Sequence, residues 1–268
     1  MIDSKKILTL DSCAKAWENI KPPVRPSKQM LAIYEGYIGD YVSSNKDWGI
    51  LGSTPELRSL GAKYASSVCC LDLKHEHYYS FSTLCRQHPK ESFLQCNWLS
   101  TGQAEKFNYV LGDGSTSMVS LHQYDDFLNS IHDLLLPGGY AFLRIQIANT
   151  NPFGNPSEVV AWHRANHPSQ PIFRTSSFYL QILWQDANLG SVNTEIYCRE
   201  LLALFEAGII TSDEYQELMS SITPYPISYV EQESFEAFCA PLFTILDVRF
   251  PNDFACSNLC PVYALQKK

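Results

Sequence analysis

From Trp48 onward the chain alternates short apolar runs with amphipathic stretches, and that rhythm constrains its fold more than any other feature. Runs this short, separated by helical segments, form βαβ units, in which each helix returns the chain to start a parallel neighbour. Residues 49–51, 67–71, 93–96, 109–111 and 140–145 read as strands, with 56–64 and 125–136 as helices between them. The second helix runs into Pro137-Gly138-Gly139, which reads as a tight turn into the fifth strand. After Ile147 the rhythm stops for about 90 residues, far longer than an ordinary connection. Helices are expected there at 195–207 and 212–221, among the aromatic and basic side chains Trp162, His163, Tyr179, Trp184 and Tyr197. Strand alternation returns at 243–250 and 262–266, an antiparallel pair that closes the sheet.

Ahead of the first strand, 11–20 reads as a short helix ended by Pro22-Pro23-Val24-Arg25-Pro26. Ser27 can cap a second helix, with Met30, Tyr34, Tyr37, Ile38 and Tyr41 on one face. The expected architecture is α/β and doubly wound: a mostly parallel seven-stranded sheet with an antiparallel last strand. A helical cap (1–47) precedes a Rossmann-like cofactor-binding core (48–147). A mostly helical lid or substrate insertion (148–240) and a closing strand pair (241–268) follow.

Composition narrows the partners. With 45% hydrophobic residues the chain can bury a large core, which excludes a disordered class. No run reaches the roughly 18 apolar residues a membrane span needs. Met1–Lys6, Ile7-Leu8-Thr9-Leu10 and Asp11 lack the apolar core of a signal peptide, so a cytoplasmic protein is expected. Eleven acids and three bases lie between 146 and 240, which accounts for the whole net charge of −8. Such a segment repels phosphate backbones, so a small-molecule substrate is expected rather than nucleic acid. The nine cysteines contain no C-x-x-C pair, and Cys256 and Cys260 have no partners for a four-ligand set; all are read as reduced thiols, without a metal.

The chemistry is concentrated where strands end. The first strand runs into Gly52-Ser53-Thr54-Pro55-Glu56, where a glycine lets backbone approach a ligand and a helix N-terminus offers free N–H groups. Twenty residues on, Asp72 ends the second apolar run, the place from which an acid holds ribose hydroxyls in nucleoside-binding folds. Asn97-Trp98 ends the third strand and could meet an adenine edge and face. Gly112-Asp113-Gly114-Ser115 ends the fourth, with an acid between two glycines.

Taken in order, the glycine loop, Asp72, Asn97-Trp98, Gly112-Asp113-Gly114 and Leu136-Pro137-Gly138-Gly139-Tyr140 resemble a class I S-adenosylmethionine-dependent methyltransferase. The resemblance covers roughly 48–145 plus the closing strands. It implies that Gly52, Ser53, Thr54 and Glu56 hold the methionine end of the cofactor and that Asp72, beside Leu73, holds the ribose. Asn97 and Trp98 would contact adenine, and Gly112, Asp113, Gly114 and Ser115 would face the transferred methyl. Arg25 is a further candidate, to pair the cofactor carboxylate. One departure stands out: the family's first loop carries three alternating glycines, whereas this variant reads Leu51-Gly52-Ser53-Thr54-Pro55-Glu56-Leu57.

The implied activity is methyl transfer to a small or medium-sized acceptor at O, N or C. A hydroxyl acceptor would need a base, for which His122 and His163 are candidates. Two other readings use the same residues: an S-adenosylmethionine-binding regulator without turnover, and an NAD(P)-dependent oxidoreductase, against which the Gly-x-Gly-x-x-Gly motif is missing. Asn151-Pro152-Phe153-Gly154 is similar to the Asn-Pro-Pro-Tyr of amino-group DNA methyltransferases, but it follows strand five and lacks the second proline; it reads as a turn.

Overall fold

The computed structural model describes residues 10–41, 46–148, 151–220, 222 and 225–268. Met1–Lys6, read above as lacking a signal peptide, lie outside them. The expected alternation is present. Strands β1 (Asp47–Leu51), β2 (Ser67–Asp72), β3 (Glu91–Gln95), β4 (Phe107–Asp113), β5 (Leu135–Arg144), β6 (Phe243–Arg249) and β7 (Val262–Lys267) form one sheet in the order β3-β2-β1-β4-β5-β7-β6. Pairs within β1–β5 are parallel, and β7 runs antiparallel between β5 and β6. From β1 the chain winds outward to β2 and β3, then returns to β4 and β5 on the other side. The point between β1 and β4 is a topological switch point, where open α/β sheets bind ligands at their carboxyl ends.

The central strands are buried on both faces, which is why they read as unbroken apolar runs. On one face Trp48, Ile50, Tyr109, Leu111 and Phe142 meet α2 (Lys28–Tyr41) and α3 (Pro55–Tyr64), through Tyr34, Tyr37, Leu57 and Leu60. On the other, Leu51, Leu71, Val110 and Leu143 meet α5 (Tyr124–Leu134). That helix buries Tyr124, Phe127, Leu128, Ile131 and Leu134 at helical spacing. Ser27 caps α2 as expected, its Oγ accepting from Met30 N at 3.1 Å. Preceding it is α1 (Leu10–Asn19), and α4 (His75–Phe81), not foreseen, crosses between β2 and β3.

The Pro137-Gly138-Gly139 turn is corrected. Leu135 already pairs with Phe107, and the next pair is Tyr140 with Tyr109, so residues 136–139 bulge within β5 opposite Asn108. The strand starts early because Leu135 and Phe107 bury each other in the core.

The insertion contains α6 (Pro156–Asn166), α7 (Ile172–Leu183), α8 (Thr194–Glu206) and α9 (Ser212–Ser220) around Val159, Ile172, Phe178, Leu201 and Leu218. Helix α6 opens with a side-chain cap: Asn155 Oδ1 accepts from Glu158 N at 3.1 Å, and Glu158 reaches back past the cap to accept from Gly154 N at 2.8 Å. Before it, Asn151 Oδ1 accepts from Phe153 N, a local turn. The insertion's end is tied to the segments that follow β4 and β5. Val230 N donates to Gln146 O, Ala148 N to Val230 O, and Ser228 Oγ to Val119 O. Helix α10 (Gln232–Cys239) then packs on α5 and β6. Among the described residues, no helix is long and apolar enough to cross a membrane.

Candidate functional site

Asp72 closes β2, one strand from the switch point. Its Oδ2 accepts from Ser53 Oγ at 3.2 Å and its Oδ1 from Lys74 N at 3.2 Å, the latter heading α4. An ionised carboxylate has about four acceptor sites, so about two make no hydrogen bond, with His77 Nδ1 standing 3.7 Å from Oδ2. They face a cavity of about 340 Å³ lined by Asp72, Leu73, Lys74, His77, Asn97, Trp98, Leu99, Met118, Val119, Gln123 and Tyr225. That volume lies in the lower part of the range for small-molecule sites. Its walls are mainly apolar, with Leu73 59% exposed at the mouth. Lys74 Nζ donates to Tyr225 Oη at 2.7 Å, joining the head of α4 to the end of the insertion.

Asn97 and Trp98 are held by a tight turn. Asn97 Oδ1 accepts from Leu99 N at 3.0 Å, which leaves the amide NH₂ as its outward-facing chemistry. Trp98 Nε1 donates to Leu71 O at 2.7 Å, the carbonyl that also accepts from Gly52 N at 2.7 Å. The indole therefore lines the cavity and shares with Gly52 N the carbonyl that ties the first loop to the end of β2. Gly52 has φ +89°, and this dihedral, rather than crowding, calls for glycine: a Cβ there would stand 3.6 Å from Trp98. Ser53 couples this loop to Asp72 by a bond that a glycine could not make. Thr54 is the N-cap of α3, with Pro55 opening the helix.

At the end of β4, Asp113 is withdrawn into an ion pair. Arg144 Nε lies 2.6 Å from Asp113 Oδ1 and Nη2 3.3 Å from Oδ2, and the two side chains are 1% and 0% exposed. Burial pulls the Arg144 pKa down, but the Asp113 carboxylate, with Cys260 and Tyr34 nearby, pushes it up, and the net shift is upward. Tyr34 Oη donates to Gly112 O at 2.9 Å and accepts from Arg144 N at 3.1 Å. Burial, with Asp113 next, holds that phenol well above its usual pKa. The two glycines of the motif have a physical cause. A side chain at Gly112 would collide with Ser115 Oγ, and one at Gly114 (φ +69°) would stand 2.6 Å from Arg144 Nη2. Gly-Asp-Gly is the seat of a guanidinium.

Of the residues implied by the resemblance, Asp72, Leu73, Asn97 and Trp98 line the cavity together. Gly52, Ser53, Thr54, Gly112, Asp113, Gly114 and Ser115 lie across the tips of β1 and β4, largely buried and outside the cavity's lining. Arg25 and Glu56 are elsewhere. Arg25 Nε is 2.5 Å from Glu56 Oε1, beside a separate hollow of about 280 Å³, so its charge already has a carboxylate partner. His122 Nε2 is 2.9 Å from Asn188 O in an exposed contact. His163 is buried between α6 and α7, with Nδ1 2.7 Å from Thr175 Oγ1, and burial lowers its pKa. Neither histidine lines the cavity. Sequence reasoning missed Arg144, although a lone cation ending the apolar run 140–145 was a visible signal. It took Tyr34 for a core residue only. Lys74 and Tyr225 carried no local signal, since only the fold brings them together.

The strand order, the switch point and the ends of β1, β2 and β4 can now be set beside known structures. A SAM-dependent methyltransferase from Methanosarcina mazei superposes with a TM-score of 0.52 at 14% identity, over 86% of this chain and 96% of that one. The fold is that of a class I methyltransferase. The Burkholderia thailandensis 1,6-didemethyltoxoflavin-N1-methyltransferase, crystallised with 1,6-didemethyltoxoflavin and S-adenosylhomocysteine, gives 0.52 at 12% identity over 90% and 77% of the two chains. The N-methyltransferase NodS from Bradyrhizobium japonicum WM9, with S-adenosylhomocysteine, gives 0.52 at 9% over 96% and 99%. No family model matches this sequence, and no curated protein does. The likeness lies in the fold.

Proposed function

We propose that this chain binds S-adenosylmethionine across the tips of β2, β1 and β4 and transfers a methyl group to a small or medium-sized acceptor at O, N or C. The observation that carries the reading is Asp72: a strand-end carboxylate with about two acceptor sites that make no hydrogen bond, facing a nucleoside-sized cavity beside the switch point. Two such sites match two ribose hydroxyls. The Asn97 NH₂ offers a donor to a purine ring nitrogen, and Leu73 and Leu99 supply apolar surface for its faces. When bound, the sulfonium supplies an electrophilic methyl for in-line displacement. Alignment and exclusion of water are then the protein's main contributions, and positioning of this kind is worth up to about 7–11 kcal/mol in intramolecular systems. The insertion is suited to that task, because its end is stitched to the segment that follows β5 and carries Tyr225 to the cavity wall.

Titration calorimetry with S-adenosylmethionine and S-adenosylhomocysteine tests the reading. Saturable heat for both, lost in Asp72→Ala, is expected. No heat at high protein concentration would remove the proposal.

A further inference from the structure

The insertion reaches the nucleoside cavity through a strap, residues 225–230, whose two ends are held very differently. Its later part is tied down by backbone. Ile227 N donates to Val192 O at 2.9 Å and Val192 N to Ile227 O at 2.8 Å, while Ser228 N donates to Ser117 O at 2.9 Å and Val230 N to Gln146 O at 3.1 Å. Ser228, Tyr229 and Val230 are buried. At the start of the strap, Tyr225 crosses to the β2 side, where its hydroxyl accepts from Lys74 Nζ at 2.7 Å in a solvent-exposed bond. The same ammonium stands 4.9 Å from the centre of the Tyr225 ring. Both residues line the cavity, and because their bond faces solvent, the pair forms part of its outer wall. Lys74 is a firm anchor, since its own N–H donates to Asp72 Oδ1 at 3.2 Å and it opens α4.

We propose that Lys74 and Tyr225 form a latch that opens for each entry and exit of the cofactor. The inference rests on the function proposed above. Strength suits a latch: an exposed bond to a charged group is weak, so it breaks and re-forms readily, whereas a buried pair would lock the cavity. Chemistry suits it as well. A lysine ammonium carries three donors on a flexible stem, so the bond closes again from more than one approach. The placement confines the movement, because the Lys74 bond can break while residues 227–230 stay bonded to Val192 and to the segments after β4 and β5. Tyr225 also lines a second hollow, inside the insertion, together with Gln181, Asn193, Thr194 and Tyr197. Opening the latch therefore changes a wall that the nucleoside cavity and the insertion share.

The test is stopped-flow binding of S-adenosylhomocysteine followed by tryptophan fluorescence, with Trp98 in the cavity wall as the reporter. It gives the association and dissociation rates separately. Tyr225→Phe keeps the ring and removes the acceptor hydroxyl, whereas Lys74→Met keeps most of the stem and removes the donor. Either variant is expected to raise both rates together by about two- to fivefold, the weight of one exposed charged hydrogen bond, so that Kd moves by less than about twofold. The double variant should match the single ones, because all three lack the same bond. Urea midpoints equal to wild type certify folding, and the two variants approach the bond from opposite sides, so either one decides the matter. Rates unchanged from wild type would overturn the latch. Faster dissociation with unchanged association would overturn it too, since Tyr225 would then be only a contact with bound ligand. If wild type binds no S-adenosylhomocysteine, the proposed function fails and the latch falls with it, a result distinct from the other two.

Discussion

Replacing Gly114 by alanine tests whether the Gly-Asp-Gly loop is the seat of Arg144 or an ordinary turn. Two costs are expected. The first is backbone: at φ +69° an L side chain is disfavoured by about 1–2 kcal/mol. The second is a collision, because the new Cβ would stand 2.6 Å from Arg144 Nη2. The guanidinium cannot retreat into water, since it is 1% exposed and bonded to Asp113 through both Nε and Nη2. Breaking a buried pair outright costs about 3–5 kcal/mol, so a forced shift should take a large part of that. Gly208 supplies the comparison, with the same φ of +69° and nothing within 4 Å of its Cβ. Gly208→Ala is expected to lose about 1–2 kcal/mol and Gly114→Ala about 3–5 kcal/mol. Urea unfolding followed by tryptophan fluorescence measures both, and in thermal melts a gap of that size is roughly 5–10 °C. If the two variants agree within about 0.5 kcal/mol, the guanidinium is not locked against the loop and the account of the motif is wrong.

Three further outcomes follow from the same structure. Asp72→Asn keeps an acceptor for Lys74 N but loses the charge that strengthens two ribose bonds; calorimetry should show S-adenosylhomocysteine binding about 10- to 30-fold weaker, and an unchanged Kd would remove Asp72 from the site. Arg58 and Glu91 form a buried pair at 2.5 Å joining α3 to β3, with Tyr78 stacked 4.5 Å from the guanidinium. Arg58→Met alone should cost about 3–5 kcal/mol in urea unfolding while Arg58→Met with Glu91→Leu stays close to wild type, and a mild single variant would contradict this. Burial holds the His163 pKa below its ordinary 6.5, so the unfolded chain takes up that proton first on acidification. The stability due to this site is complete above about pH 6.5 and is lost as pH falls through the folded pKa. Stability profiles from pH 8 to pH 5 should therefore slope less in His163→Gln than in wild type, and identical slopes would argue against a buried neutral imidazole.

Legibility in the sequence followed the range of the interactions involved. Strands β1, β2 and β4 and helices α2, α3 and α5 were readable because burial on one face or two imposes a period on neighbouring residues. Helices α4, α6, α7 and α10 were not read. Of these, α6 had a signal in Asn155 and Glu158, and α7 is apolar on so many sides that its face is hard to define. The turn at 137–139 was misplaced because a bulge depends on where the partner strand begins, and the sequence around the glycines does not contain that information.

The site divides along the same line. Asp72 and Asn97-Trp98 could be named from position alone, since a polar residue ending an apolar strand has little choice but to stand at the sheet's carboxyl edge. The partners of Asp113 and Arg25 could not. Arg144 is 31 residues from Asp113, and Tyr34, which joins their loop and strand, is 110 residues from Arg144. Local patterning thus determined which residues would reach the strand tips, because side-chain direction along a strand or helix is set by backbone geometry within a few residues. Which charge neutralises which was decided only when the sheet closed. Pairing at 2.5–3.3 Å depends on distances between elements, and those exist only once the core has packed.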